Sequence, residues 1–402
     1  MKKAAGGNAR DMKHANRLQV LQLLCTEGPL PRAEIARRTG LTKMTTSNIT
    51  ADLLEAGLAA ELPAGRMPGG GAGRTPALLG LSACSPCVLG IFIGRRHCGV
   101  LICDLAATVL AEETFYYEGR LDGETLIDTI VNLFYKVRAR CGRKLLGAGI
   151  SAVGPLNAST GTLLSPPNFY GICNLPVREL LAARLGLPCA LIHDSSGGAL
   201  AEQLYGAGRG LDDFLYLHLQ DGIGAGLVAN GELFDGAVGL GGELGHTSIN
   251  FDGPPCPCGN RGCLELYAND QALAADLLRL RGESAPAGGK APAFREIVDL
   301  AGAGDGPAAA ALDSFCSYVS YALVNCLNIV DAHRVFVGYR GGEAGLLERL
   351  LESKVNSRLL AGECRRVRVE RSRFLNRAPV FGAVALVARQ VFRGELPVLP
   401  GT

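Results

Sequence analysis

The 402 residues carry 40 basic and 38 acidic side chains, a net charge of +2, and 48% are apolar. This composition excludes a disordered chain, and it excludes nucleic-acid binding through a basic field spread over the whole molecule, so any such role needs a local patch. No apolar run reaches membrane-spanning length, and the polar, basic start lacks the apolar core of a signal peptide. The length implies two or three compact units. Fourteen cysteines without an export signal are expected to be reduced thiols of a cytoplasmic protein.

The first unit is expected over residues 1–82. Leu18, Leu21 and Leu24, with Val20 alongside, recur at helical spacing, so residues 16–27 read as an amphipathic helix that Gly28-Pro29 stops. Residues 32–39 form a second helix with Ile35 and Ala36 inward, Gly40 breaks it, and Thr42 is the N-cap of a third over 43–56. Helix, tight turn, helix is the pattern of DNA-binding modules. Lys43, Thr45, Thr46, Ser47 and Asn48 gather at the start of the third helix, where short polar side chains suit phosphates and base edges in a major groove. Segments 58–61 and 77–81 are expected to pair as a hairpin. The tip between them, GRMPGGGAGRTP, carries Arg66 and Arg74 and reads as a wing; Arg32 and Arg74 complete the expected DNA contacts. The plainer alternative is a helical dimerisation module.

Residues 83–402 read as a second unit. A hairpin over 88–105, a strand over 109–117, a helix over 121–141 and a buried strand over 145–153 come first. Strand 190–194 then ends in Asp194 at the start of an Ala- and Gly-rich helix. Asp194 can serve there as a helix N-cap or as a carboxylate that accepts a hydroxyl proton. Strands over 213–219 and 225–228 open a second half. Helices over 270–281 and 307–330, strands over 334–337 and 366–370, and a closing helix over 378–392 follow.

The segment GGELGHTSINFDGPPCPCGNRGCLELY, residues 241–267, is the most specific in the chain. His246, Cys256, Cys258 and Cys263 are one imidazole and three thiols, the donor set of a structural tetrahedral zinc site, and Gly259 and Gly262 permit the tight loop that such ligands need. A loop with incidental cysteines is the alternative. ELGH followed by CPCGNRGCLE resembles the signature of the ROK family of repressors, open reading frames and sugar kinases. PRAEIARRTGLTKMTTSNITADLLEAGL with GAGRTP is similar to the winged helix of its repressors. The resemblance implies an α/β chain: a winged helix-turn-helix over 1–82, then a two-lobed actin-like ATPase (ribonuclease H-like) domain over 83–402. Its small lobe would span about 83–195 plus a C-terminal helix at about 378–395, and its large lobe about 196–377. It further implies zinc on His246, Cys256, Cys258 and Cys263. Sugar hydroxyls would meet Asn168, Asp194, Glu243, His246 and Glu265, with Asp194 at the position of the kinase base.

The nucleotide side departs from the kinases. The family's phosphate hairpin reads Asp-Ile-Gly-Gly-Thr where this chain has Phe92-Ile93-Gly94-Arg95-Arg96, and an aromatic ring cannot coordinate Mg²⁺. The second phosphate turn has Asp221 in place of a hydroxyl residue, and Tyr339 replaces a glycine at the adenosine end, where it is expected to fill space a nucleotide needs. Arg95 and Arg96 could instead meet an anionic sugar phosphate. The expected function is therefore a sugar-responsive transcriptional regulator, a repressor of carbohydrate genes rather than an enzyme. It would bind operator DNA and a sugar or sugar phosphate, as a homodimer or homotetramer away from membranes. The alternative is an ATP-dependent sugar kinase with an added DNA-binding domain.

Overall fold

A computed structural model describes residues 9–63, 77–219, 222–236, 239–284, 291–341 and 345–399. The N-terminal unit comprises α1 (Ala9–Glu27), β1 (Leu30–Pro31), α2 (Arg32–Thr39), α3 (Lys43–Glu55), β2 (Ala59–Leu62) and β3 (Leu78–Leu81). Thr42 caps α3 as its sequence position predicts, accepting a 3.1 Å bond from the Thr45 amide. Gly40 turns α2 into α3 at φ +71°, a conformation that costs glycine no Cβ clash. Leu18, Val20, Leu21, Leu24, Ile35, Ile49 and Leu53 are all buried beneath the three helices. The sheet runs β1-β3-β2, so β2 and β3 pair antiparallel as expected for a winged module. The tip with Arg66 and Arg74 lies outside the described residues.

The first lobe holds β4 (Cys87–Ile93), β5 (His97–Asp104), β6 (Val109–Tyr116), α4 (Gly123–Arg140), β7 (Leu145–Ala152), the small hairpin β8 (Leu156–Asn157) and β9 (Thr162–Leu163), α5 (Val177–Leu185) and β10 (Cys189–His193). Then come α6 (Asp194–Tyr205), β11 (Phe214–Leu219), β12 (Ile223–Ala229) and β13 (Glu232–Leu233). After the cysteine segment lie α7 (Asp270–Arg281), α8 (Phe294–Gly302), α9 (Gly306–Val330), β14 (Arg334–Gly338), α10 (Leu346–Asn356), β15 (Arg368–Arg371) and α11 (Ala378–Phe392). The first sheet runs β10-β7-β4-β5-β6 and the second β13-β12-β11-β14-β15. In each, the first strand pairs antiparallel with the second and parallel with the fourth, so one five-stranded plan occurs twice. This is the duplicated, two-lobed architecture implied by the resemblance. The lobe division expected after residue 195 falls within α6, which packs against both β12 and α11.

Helices α6 and α11 cross closely between the lobes. A Cβ on Gly382 of α11 would lie 2.2 Å from the Gly197 backbone, so this approach requires glycine in α11, and one on Gly198 would lie 2.1 Å from the Tyr216 ring of β11, so the packing of α6 on the second sheet requires glycine as well. The N-terminal unit docks on the same pair. Leu18, Leu21 and Leu24 of α1 share a buried cluster with Tyr205 of α6 and with Val384, Val391 and Phe392 of α11. Tyr205 Oη donates to the Leu105 carbonyl at 2.9 Å, and Arg209 donates to the Thr26 carbonyl. One end of α6 therefore meets the winged unit, and the other begins at Asp194. No helix among the described residues is long and apolar enough to cross a membrane.

Candidate functional site

The cleft between the lobes narrows to a pocket whose polar lining comes from distant parts of the chain. Arg95 comes from the β4–β5 turn and His97 from the start of β5, His193 and Asp194 from the β10–α6 junction, His218 from β11, and Glu243, His246 and Glu265 from the cysteine segment. Four of the six histidines thus converge here, a grouping that sequence inspection missed because their spacing shows no pattern.

His193, not Asp194, stands at the N-cap of α6: in the neutral ring its Nδ1 accepts from the Ser195 amide at 3.3 Å, a bond that protonation exchanges for attraction to the flanking carboxylates. The N-cap alternative for Asp194 therefore falls away, and its carboxylate instead accepts from the Ser195 hydroxyl at 3.0 Å. His193 lies between two carboxylates, with Nδ1 3.3 Å from Asp194 and Nε2 3.4 Å from Glu243. Glu243 Oε1 is buried and makes no hydrogen bond, an acceptor that a ligand hydroxyl would satisfy. Gly154 makes room for this pair, since a Cβ there would stand 2.4 Å from His193 Nε2.

Burial by itself disfavours the His193 cation, but Asp194, Glu243 and Asp235 outweigh it and raise the pKa. Burial likewise opposes the Asp194 anion, and His193, His218, the Ser195 hydroxyl and Arg95 outweigh it, so Asp194 titrates below its usual value. A histidine with a raised folded pKa contributes stability that is present below its unfolded value, about 6.5, and lost as pH rises through the folded one. Thermal denaturation from pH 6 to 9 should therefore show stability falling with pH, and His193→Asn should flatten that limb. An unchanged slope in the variant would contradict the charge assignment.

The cysteine segment fits a metal. One ligand atom from each of His246, Cys256, Cys258 and Cys263 lies within 4.8 Å of all the others. Cys258 Sγ stands 3.7 Å from Cys263 Sγ, and Cys256 Sγ 3.8 Å from His246 Nδ1. A tetrahedron with bonds of about 2.3 Å has edges of about 3.8 Å, so these separations suit zinc–thiolate coordination. Regular backbone support here is sparse: a bridge between Ser248 and Cys263, another between Pro255 and Arg261, and two single-turn 3₁₀ helices, Leu244–His246 and Leu264–Leu266. His246 both faces this cluster through Nδ1 and lines the pocket.

Several expected contacts fall elsewhere. Asn168 is exposed at φ +55° and is absent from the lining, while the preceding Pro167 carbonyl accepts from Arg95 Nε at 3.2 Å. Its backbone turns outward because Phe169 is drawn into the small-lobe core. Arg95, a possible partner for a sugar phosphate, faces Glu265 at 3.5 Å. The Tyr339 ring does not protrude into the cleft. It is buried in the large-lobe core, with its hydroxyl donating to Glu348 at 3.0 Å. Phe92 does line the pocket, and Asp221 lies outside the described residues.

On α3, Lys43, Ser47 and Asn48 are exposed, and Thr45 is half-buried with its hydroxyl on Thr42. Thr46 is fully buried and bonds the Thr42 carbonyl at 3.0 Å, so it belongs to the core and not to a DNA surface. Arg32 is held by Glu61 at 2.9 Å and Thr50 at 3.3 Å, which ties α2 to the wing strand. Met44, 76% exposed at the start of α3, is a surface residue that the sequence reading passed over.

Comparison with known proteins agrees with this architecture. Residues 88–390 match the profile of the ROK family, and residues 13–59 that of a winged helix-turn-helix DNA-binding domain. The xylose repressor of Caldicellulosiruptor bescii is 29% identical over 400 residues, covering 95% of this chain and 97% of that one. The transcriptional dual regulator NagC of Escherichia coli K12 is 28% identical over 398 residues, covering 97% and 96%. Among solved structures, a ROK family transcriptional regulator described as a homologue of the E. coli MLC protein shares the fold, with TM-score 0.74, 23% identity, and 95% and 97% coverage. A ROK family glucokinase from Streptomyces griseus, solved with glucose and AMPPNP, aligns with TM-score 0.66 at 25% identity, covering 76% of this chain and 99% of that one.

Proposed function

The chain belongs to the ROK family, and we propose that it is a sugar-responsive transcriptional repressor that reads operator DNA with α3 and binds its effector between the lobes. The observation that carries this reading is the continuity of α6, whose first residue, Asp194, lines the pocket and whose last, Tyr205, is buried with α1 of the DNA-binding unit. A ligand that prefers one lobe arrangement can thereby bias the placement of α3, and the coupling equals its differential affinity for the two states. Asp194, Glu243, His246 and Glu265 supply acceptors and imidazole groups for sugar hydroxyls. His246, Cys256, Cys258 and Cys263 would hold zinc, whose chemistry here is structural, fixing the segment that carries Glu243 and Glu265.

We read the protein as a cytoplasmic, two-fold symmetric oligomer, which would make its operator roughly palindromic. Phe92 in the pocket supports a receptor rather than a kinase, since it puts an aromatic ring where the family's metal-managing carboxylate would stand. The kinase alternative keeps one point in its favour, the Asp194 carboxylate at the base position.

The deciding experiment is thermal denaturation of the purified protein with D-xylose, D-glucose, N-acetylglucosamine and their phosphates, each with and without Mg-ATP. A ligand that binds only the folded state raises the midpoint. Stabilisation by a sugar but not by Mg-ATP is expected; stabilisation by Mg-ATP would favour the kinase. On the DNA side, Lys43→Ala should flatten the salt dependence of operator binding by about one unit, through loss of one phosphate contact. Asn48→Ala should instead relax discrimination between operator variants, by about 1–3 kcal/mol at one base pair. A slope unchanged by Lys43→Ala would remove that residue from the interface.

A further inference from the structure

The geometry points to Arg95 as a positioning residue that ties the lobes together across the pocket and presents Glu265 to the effector. Arg95 rises from the β4–β5 turn of the small lobe, and Glu265 follows Cys263 in the cysteine segment. Arg95 Nη1 and Glu265 Oε1 are 3.5 Å apart, an ion-pair separation rather than a tight hydrogen bond, and both side chains are only 13% exposed. Each partner is fixed on its far side. Arg95 Nε donates to the Pro167 carbonyl at 3.2 Å, which sets the plane of the guanidinium. Glu265 Oε2 accepts from the Ile223 amide at 3.3 Å.

Between them lies Gly222. A Cβ there would stand 2.1 Å from Arg95 Nη1 and 2.8 Å from Glu265 Oε2, so the arginine rests directly on the glycine turn. Two glycine turns that sequence resemblance assigns to nucleotide phosphates are thus bridged by a side chain of the protein itself. A cation supplied by the chain joins the lobes here, and it holds the Glu265 carboxylate in one orientation before a ligand arrives. Ordering such a group in advance removes an entropy cost from binding. Lysine could supply the charge but not the ion pair and the Pro167 bond together, because only the guanidinium presents Nε and Nη groups in one rigid fork. The role in effector binding rests on the sugar-receptor reading given above; the lobe-bridging role does not.

Two measurements on the full-length protein test this. Without any sugar, hydrogen exchange at the Ile223 amide and over residues 264–266 should accelerate about tenfold or more in Arg95→Ala and much less in Arg95→Lys, while α1–α3 stay protected. With whichever of D-xylose, D-glucose or N-acetylglucosamine stabilises the wild type, Arg95→Ala should weaken binding about tenfold and Arg95→Lys by an intermediate factor. The double variant Arg95→Ala, Glu265→Gln should bind no more weakly than Glu265→Gln alone, as residues acting through one another require. Unchanged exchange in Arg95→Ala, or additive losses in the double variant, would overturn the assignment. If none of the sugars stabilises the wild type, the receptor reading fails, and the exchange experiment still decides whether Arg95 bridges the lobes.

Discussion

Cys258→Ser is expected to reduce bound zinc from about one per chain to near zero and to weaken the response to sugar, while the fold survives. Cys258 is the thiol to change because its side chain is exposed, whereas Cys263 is fully buried and its loss would also disturb packing. Cys258 and Cys263 do not titrate alike. Burial and the neighbouring thiols raise the Cys263 pKa, whereas at Cys258 burial is outweighed by the combined bonds to the Asn260 amide and the neighbouring thiols, which lower it. A cation among them removes that conflict, since zinc binds all three as thiolates. Apart from the two isolated bridges and the two single-turn helices, little regular backbone holds this segment, and Phe251 within it is 84% exposed. Irregular backbone bonds, such as Ile249 N–H to the Gly262 carbonyl at 2.9 Å and Leu264 N–H to the Thr247 carbonyl at 3.0 Å, tie the segment together, and the cross-link adds to their support of Glu243 and Glu265. Effector affinity should fall by about tenfold to a hundredfold, the range for removing support around a metal-bound site. Operator binding without sugar should change little, because the buried cluster that holds α3 includes no residue of the cysteine segment. Elemental analysis and operator titration read the two effects independently, and full zinc content in the variant would defeat the metal assignment.

Asp194→Asn should produce the second large effect, a loss of effector affinity of about tenfold to a hundredfold, with ligand-free operator affinity within about twofold of the wild type. The change keeps the shape of the side chain and removes its charge. Hydrogen bonds to a charged group contribute about 1.5–3 kcal/mol, which sets the scale of the loss. In the native site Asp194 and Glu243 flank the His193 imidazole, so neutralising Asp194 also removes one of the charges that favour its cation. The same variant discriminates between the two functional readings. If the wild-type protein transferred phosphate from Mg-ATP to a sugar and Asp194→Asn abolished that transfer, the kinase reading would take first place.

Much of the fold was legible because its signals are local. The boundaries of α2, α7 and α11 follow from apolar spacing, caps and breakers that a few neighbouring residues supply. Three helices escape the sequence reading although their signal is present: Val177 and Leu181 in α5, Phe294, Ile297 and Val298 in α8, and Leu347, Leu351 and Val355 in α10, recur at helical spacing and are buried. The start of α1 was placed too late because its first turns lack apolar residues on a regular stripe.

What the sequence by itself determined is the grouping of one histidine with three cysteines, the paired modules and the type of most long elements. These four potential metal donors lie within eighteen residues, from His246 to Cys263, so chain connectivity alone nearly assembles them. Only the tertiary structure decided which polar groups meet in the cleft. It set His193 between Asp194 and Glu243, brought Arg95 to Glu265, and drew Tyr339 into the core and Thr46 beneath α3. The physical reason is separation along the chain. Residues 95 and 265 meet because two sheets dock around α6 and α11, and no spacing rule acting over a few residues encodes that docking.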